Sequence, residues 1–187
     1  MNHVTDGAVG VSNSKWYVAI VRPNHERKVV DYLDAAGFQT YVASQQRLRI
    51  YTSGRKKWVW QILIPSKIFV YCTDKDRHAI LQSPEVLRFM TNPSGRMENG
   101  HRPLAVISSE EIDTLKFMLG QREVPVSFHE LMVNSGDAVK IIRGSLKGLE
   151  GTVIESSSSQ KEIVVKLDLL GCAKVVVPST DLELLKT

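Results

Sequence analysis

The chain has 187 residues, 43 % hydrophobic and 24 % charged, an ordinary balance for a globular protein with room for one large domain or two small ones. Its longest apolar run falls far short of the ~18 residues that span a bilayer. The opening MNHVTDGAVGVSNSK has neither the basic nor the apolar region of a signal peptide, so a cytoplasmic protein without membrane contact is expected. The net charge of +4 is unevenly divided: 16 basic and 11 acidic residues stand before Gly120, against 8 and 9 from there on. A basic front portion is compatible with a nucleic-acid partner.

Residues 1–14 are small, polar and aperiodic, and are read as a tail. KWYVAIVRP is a mostly apolar run of strand length that Pro23 ends. NHERKVVDYLDAAGF then reads as a helix, with Asn24 as N-cap, Val29, Leu33 and Ala36 at helical spacing, and Gly37 just past its end. FQTYVA, RLRIY and WVWQILI are further strands, and SGRKK suits a hairpin tip where Gly54 takes the turn. KIFVYC adds a strand, and DKDRHAILQS a helix capped by Asp74 and stopped before Pro84. In SSEEIDTLKFMLG, Ser108 and Glu111 stand in the S-x-x-E relation of a capping box, with Ile112, Leu115 and Leu119 on one face. This helix closes a first domain over residues 15–119.

Residues 120–132 include Pro125, lack helical periodicity and read as a linker. From 133 to 187 the chain is strand after strand (AVKII, GTVIE, EIVVKLDL, AKVVVP, LEL), a pattern that predicts a small closed β-barrel. Its β-branched residues favour strands, and each of its five glycines costs a helix ~1 kcal/mol relative to alanine, so the barrel is expected in the free protein, flexibly tethered. Three of those glycines, Gly144, Gly148 and Gly151, interrupt the strand pattern of IIRGSLKGLEGTVIE. Repeated glycines there predict positive φ or close backbone approach in the connection between two strands.

Enzymatic chemistry finds no support. His3, His25, His78, His101 and His129 are scattered, without metal-ligand spacing. GSLKGLEG lacks the order of a phosphate loop, and the serines lack a nucleophile elbow. Cys72 and Cys172 lie far apart in apolar runs, as small buried hydrophobes do. A binding protein with no catalytic residue, no metal and no cofactor is expected.

The basic residues group better. Arg47, Arg49, Arg55, Lys56 and Lys57 follow one another without an intervening acid, the first two on one strand face and the others on the turn. Two readings stand open: a finger that reaches a phosphate backbone, or a solvated hairpin whose lysines deter edge pairing. Arg22, Arg27 and Lys28 add charge at the first strand–helix junction. In WVWQILI, alternation places Trp58, Trp60, Ile62 and Ile64 on one face and Val59, Gln61 and Leu63 on the other. Both faces are too apolar for one to be solvated, so one is a candidate docking surface.

KWYVAIVRPNHERKVVDYL, ILIPSKIFVY, ISSEEIDTLKFML and SGDAVKIIRGSLKGLEGTV, in that order, resemble the NusG family of transcription elongation factors over nearly the full length after residue 14. Most specific is the match to the glycine-rich KOW motif, with Gly136, Asp137, Val139, Ile141, Gly144, Gly148, Gly151 and Val153 at its spacing. The resemblance implies an α+β protein: an NGN domain with an antiparallel sheet flanked by helices, then an SH3-like KOW barrel. Length and basic hairpin are most similar to the specialised RfaH and UpxY-type paralogues that act on operons such as those for capsular polysaccharide. One departure is local: after the strand proline the family has Gly or Asn and then Tyr, where this chain has Ser66 and Lys67.

By position, the resemblance implies that Ile20, Ile62 and Phe69 form an apolar pocket for RNA polymerase, on the clamp helices of its β′ subunit. Arg22 and Lys28 would meet the nontemplate DNA strand, joined there by Arg55, Lys56 and Lys57 of the basic finger. The KOW loop of Gly144, Lys147, Gly148 and Gly151 would face a ribosomal protein, a termination factor or RNA. A monomer that suppresses pausing and termination follows. The alternative is a ribosome- or RNA-binding protein of the KOW kind, whose front domain contacts RNA directly.

Overall fold

The computed structural model describes residues 13–129, 136–156, 160–167 and 171–185. Its architecture is α+β, with two antiparallel sheets, a separate hairpin and few helices. The tail read over residues 1–14 lies almost wholly outside the described residues.

The first sheet is built on β1 (Lys15–Val21), whose residues 16–19 and 21 are all buried. A strand apolar at every position must be covered on both faces. β1 pairs with β5 (Lys67–Cys72), β6 (Val86–Phe89) and β7 (Val106–Ile107), and β2 (Gln39–Tyr41) extends the sheet beyond β5. Register sets Val18 opposite Phe69 and Ala19 opposite Ile68, so alternate residues feed two cores. Tyr17, Ala19, Ile68 and Val70 pack with Val29 and Leu33 of α1 (Glu26–Ala35). Trp16, Val18 and Phe69 pack with Ile112, Leu115 and Met118 of α3 (Ser109–Gly120). The capping box of α3 is as expected, Ser108 and Glu111 each satisfying the other's backbone amide.

The two other helix starts differ from the sequence reading. Asn24 is not the cap of α1: it takes φ 64° in the preceding turn, so the helix begins one residue later, after His25. Asp74 does not cap α2 (Arg77–Ile80), which is a single turn; Asp76 precedes it and accepts from the Thr73 amide and hydroxyl at 2.8 and 2.6 Å. Asp74 is engaged instead with Tyr17, whose hydroxyl donates to it at 2.8 Å.

Ser66 also has positive φ, 59°, the backbone conformation that Gly and Asn tolerate best. Its amide donates to the buried carboxylate of Glu26 at 2.7 Å, and its carbonyl accepts from the Val21 amide at 3.0 Å. The first turn of α1 thus holds the turn into β5 in a shape that serine would not choose. Removing that steric cost is worth roughly 1 kcal/mol. Ser66→Gly is therefore expected to raise the midpoint of chemical unfolding; a lowered midpoint would mean that the Ser66 side chain itself stabilises the turn.

β3 (Ser44–Ile50) and β4 (Lys56–Ile62) form a hairpin outside the first sheet, with Gly54 at φ 76° in its turn. The second unit is a six-stranded antiparallel sheet in the order β13-β9-β10-β11-β12-β8, comprising β8 (Ser127–His129), β9 (Ala138–Ile141), β10 (Glu150–Ser156), β11 (Gln160–Leu167), β12 (Gly171–Pro178) and β13 (Leu182–Leu184). Ile163 to Val165 lie inside β11, in agreement with their β-branched character. The segment read as a linker, residues 120–132, runs into a strand. Its residues 127–129 are β8, paired to β12, and its residues 121–126 are fastened to the hairpin.

The fastening depends on Gln45, 1 % exposed in β3. Its amide nitrogen donates to the carbonyls of Gln121 and Val124 at 2.7 and 2.9 Å, and its amide oxygen accepts from the Val126 N–H at 3.1 Å. Arg47, next on the same strand face, donates to the Val126 carbonyl. Val126 is itself buried in a core shared by α3 and the second sheet. Gln45→Ala would leave two carbonyls and an amide unpaired, a loss on the order of 2–4 kcal/mol. Chemical denaturation together with amide exchange at Val126 checks this; a change within roughly 0.5 kcal/mol and unaltered exchange would contradict it.

Candidate nucleic-acid and protein interface

The hairpin has two unlike faces. Register pairs Gln45 with Gln61, Arg47 with Val59 and Arg49 with Lys57 on one face, which meets the segment after α3. The other face carries Leu48, Ile50, Trp58, Trp60 and Ile62, and α1 and the end of α3 adjoin it at Trp60. Trp58 and Trp60 are 49 and 53 % exposed and Ile50 is 63 % exposed, an apolar stripe that a folded chain rarely leaves in water without use. The expected sharing of a face by Trp58, Trp60 and Ile62 is observed. Ile64 departs from it and is buried: β4 ends at Ile62, and the chain turns so that the Leu63 amide bonds to the Ala43 carbonyl at 2.8 Å.

Two grooves run between this stripe and the first sheet's flank. One, of about 550 Å³, is lined by Val30, Asp31 and Asp34 of α1, by Tyr41 and Val42, and by Trp60 and Ile62. The other, of about 480 Å³, lies nearer the tip between Asn24, Arg27, Lys57, Trp58 and Trp60. Of the residues expected in an apolar pocket, only Ile62 lines these grooves. Phe69 is fully buried beneath Tyr41, ring centroids 5.8 Å apart, and supports the groove from inside. Ile20 is half-buried on β1, opposite Lys67 and Arg88, and reaches neither groove. Burial removes Tyr41 from acid–base chemistry by holding its hydroxyl far above the ordinary phenol range. Trp58 and Trp60 line these grooves; alternation pointed to them and the family pattern did not include them.

The cations divide likewise. Arg55 closes the hairpin turn, its carbonyl accepting from the Tyr51 amide at 2.9 Å, whereas Lys56 and Lys57 stand in β4 and not on the turn. Lys56 lies on the tryptophan face, opposite Ile50; Lys57 lies on the other, opposite Arg49. All three are exposed, and none has an ion-pair partner among the described residues. Arg22 and Lys28 converge on Glu85: its backbone carbonyl accepts from the Arg22 amide at 2.9 Å, and its carboxylate pairs with the Lys28 ammonium. Lys28 holds the Glu85 carboxyl below the usual carboxylate range, so this cation is already partnered at neutral pH.

In the connection between β9 and β10, Gly144 and Gly148 take φ of 78° and 94°, and the Gly148 amide returns to the Ile141 carbonyl at 2.7 Å. Gly151 belongs to β10 and not to the connection. A β-carbon there would come within 2.7 Å of the Val164 carbonyl oxygen, so glycine permits the close approach of β11. Lys147 is exposed. Gly148 and Leu149 line a groove of about 790 Å³ with Phe117 and Asp113 of α3, so this side of the connection adjoins the first unit.

Among the described residues no group of His, Cys, Asp and Glu could hold a metal ion, and no helix is long and apolar enough to cross a membrane. Cys72 and Cys172 are free and buried, and burial pushes the Cys72 thiol up to about 11, away from a reactive thiolate.

The family model of NusG, described as transcription termination factor nusG, matches residues 14–116, more than half of the chain. The chain therefore belongs to the NusG family of transcription factors. Among solved structures it is similar to Thermotoga maritima NusG, at 20 % identity and a TM-score of 0.47, over 92 % of this chain and 98 % of that one. It is also similar to a chain of the MjSpt4:Spt5 complex in conformation A, at 14 % identity and a TM-score of 0.29, over 92 % of this chain and 99 % of that one. Comparison with curated proteins found no match.

Burial separates the candidate residues by the kind of loss they predict. Phe69→Ala is expected to destabilise the fold by about 3–5 kcal/mol through a core cavity. Trp58→Ala is expected to change stability by roughly 0.5 kcal/mol or less. Parallel denaturation curves check both; equal losses would place Trp58 in a packed core.

Proposed function

We propose that this protein is a transcription elongation and antitermination factor that rides on RNA polymerase, contacts the nontemplate DNA strand, and suppresses pausing and termination. The observation that carries the reading is the family match over residues 14–116, in a chain whose exposed apolar groove adjoins unpartnered cations. The clamp helices of the β′ subunit are the partner, and they enter the groove of Val30, Tyr41, Val42 and Ile62, with Phe69 as its buried support. Ile20 serves the fold of β1 more than the contact. Tyr41 at the wall of this groove offers an aromatic anchor of the kind that dominates interface energetics.

DNA contact falls to Arg55, Lys56 and Lys57 at the outer end of the hairpin, with Arg22 and Lys28 at the first strand–helix junction. Phosphate contacts of this kind give salt-sensitive affinity without sequence preference. Lys28 must exchange Glu85 for a phosphate, so its net contribution is smaller than that of the unpaired three. The loop of Gly144, Lys147 and Gly148, followed by Gly151, presents Lys147 to a second partner, a ribosomal protein or termination factor. The basic hairpin supports a specialised role of the RfaH and UpxY kind, on operons such as those for capsular polysaccharide. The protein catalyses no reaction, needs no cofactor, and works as a cytoplasmic monomer.

Affinity capture with the tagged full-length chain tests the reading. RNA polymerase subunits are expected in the bound fraction, and Ile62→Lys is expected to deplete them at least tenfold, the effect of about 1.4 kcal/mol. Ribosomal subunits without polymerase would overturn the proposal in favour of a ribosome-binding role.

A further inference from the structure

The tryptophan face of the hairpin invites a more particular assignment than cation–phosphate contact. Trp58 and Trp60 stand two residues apart on β4, so their rings leave the same side of the strand, about 7 Å apart along it. Both are about half exposed, and the neighbours on that face are Leu48, across from Trp58, and Ile50, across from Lys56. No ring in the molecule stacks on either indole among the described residues. Indole rings held open on a rigid strand are surfaces on which planar, uncharged rings can stack, whatever their sequence.

Charge decides which planar rings. Arg27 and Lys57 line the groove beside both tryptophans, and Lys56 and Arg55 continue the positive edge to the tip. None of the four has an acidic partner among the described residues. Glu26, the one acid lining that groove, is 3 % exposed and accepts the Ser66 amide, so it is turned to the fold's own needs. Asp31 and Asp34 belong to the other groove, and Asp34 accepts from the Thr40 hydroxyl at 2.6 Å. Trp60 also borders the groove of Asp31 and Asp34, but the tip-side groove is bordered by cations and by no exposed acid, and a stacking surface on that side fits a polyanion with exposed bases.

We propose that Trp58 and Trp60 form a stacking platform for two successive unpaired bases of single-stranded DNA, whose phosphates lie against Arg27 and Lys56. The choice of DNA rests on the proposed function, in which the chain works beside a melted duplex with one DNA strand unpaired. The contact is sequence-tolerant, because every base offers a ring face. It differs in kind from backbone neutralisation alone, since it requires the bases to be splayed from a duplex.

The test uses the free full-length chain and a short labelled oligo(dT), followed by fluorescence anisotropy, with no polymerase present. Trp58→Ala combined with Trp60→Ala is expected to weaken binding by about tenfold or more, and Trp58→Phe with Trp60→Phe to retain most of it. Circular dichroism of each variant confirms that the fold persists. A same-length duplex is expected to bind more weakly than oligo(dT). Equal binding of the duplex, or unchanged affinity in the double alanine variant, would overturn the platform and leave only cation–phosphate attraction. Tighter binding of oligo(U) than of oligo(dT) would overturn the assignment to DNA. Loss of polymerase capture in the double alanine variant with oligo(dT) binding unchanged would make the face a protein contact instead. Stacking that persists in a chain that captures no polymerase supports the platform and removes only the polymerase reading.

Discussion

β1 is the constraint on which the rest of the first unit depends. Its residues from Trp16 to Ala19 are buried without a polar interruption, so both its faces need a cover. α1 supplies one with Val29 and Leu33, and α3 the other with Ile112, Leu115 and Met118. Each fully buried side chain of this size stabilises the fold by roughly 1.5–3 kcal/mol relative to exposure, which makes the two-sided cover the largest apolar contribution in this unit. With both helices committed to the sheet, they reach the hairpin of β3 and β4 only at its flank, near Trp60. Among the described residues, its outer face stays exposed at Leu48, Ile50, Trp58 and Trp60.

The inner face of the hairpin is differently employed. Gln45 and Arg47 hold residues 121–126 as a strap, and β8 continues that strap into the second sheet. The same strand therefore presents apolar side chains outward and fastens the second unit inward. The connection between α3 and the second sheet acts as a structural member.

Much of this was legible in the sequence, and the failures have physical causes. The strand length of KWYVAIVRP, the capping box at Ser108 and the β-branched second unit are local patterns, and the structure follows them. The sharing of a face by Trp58, Trp60 and Ile62 followed from period-two alternation alone. Asn24 and Asp74 look like caps because asparagine and aspartate so often are; here one was needed for a left-handed turn and the other for the Tyr17 hydroxyl. Ser66 shows the converse, a residue of low preference for positive φ held there by Glu26 from forty residues away, which no local pattern contains. Phe69 resembled a pocket residue by its place in the motif, but register sets it under Tyr41. The strap has no sequence signature, because a glutamine in a strand carries no sign that its amide will bind three backbone groups almost eighty residues on.

The groove between α1 and the hairpin is the proposed polymerase contact. Amide hydrogen exchange of the full chain, measured free and with core RNA polymerase, addresses it residue by residue. The account predicts added protection at Val30, Tyr41, Val42 and Ile62, with the β9–β10 connection around Lys147 unchanged. Protection confined to the second sheet, or none at all in the presence of saturating polymerase, would contradict it.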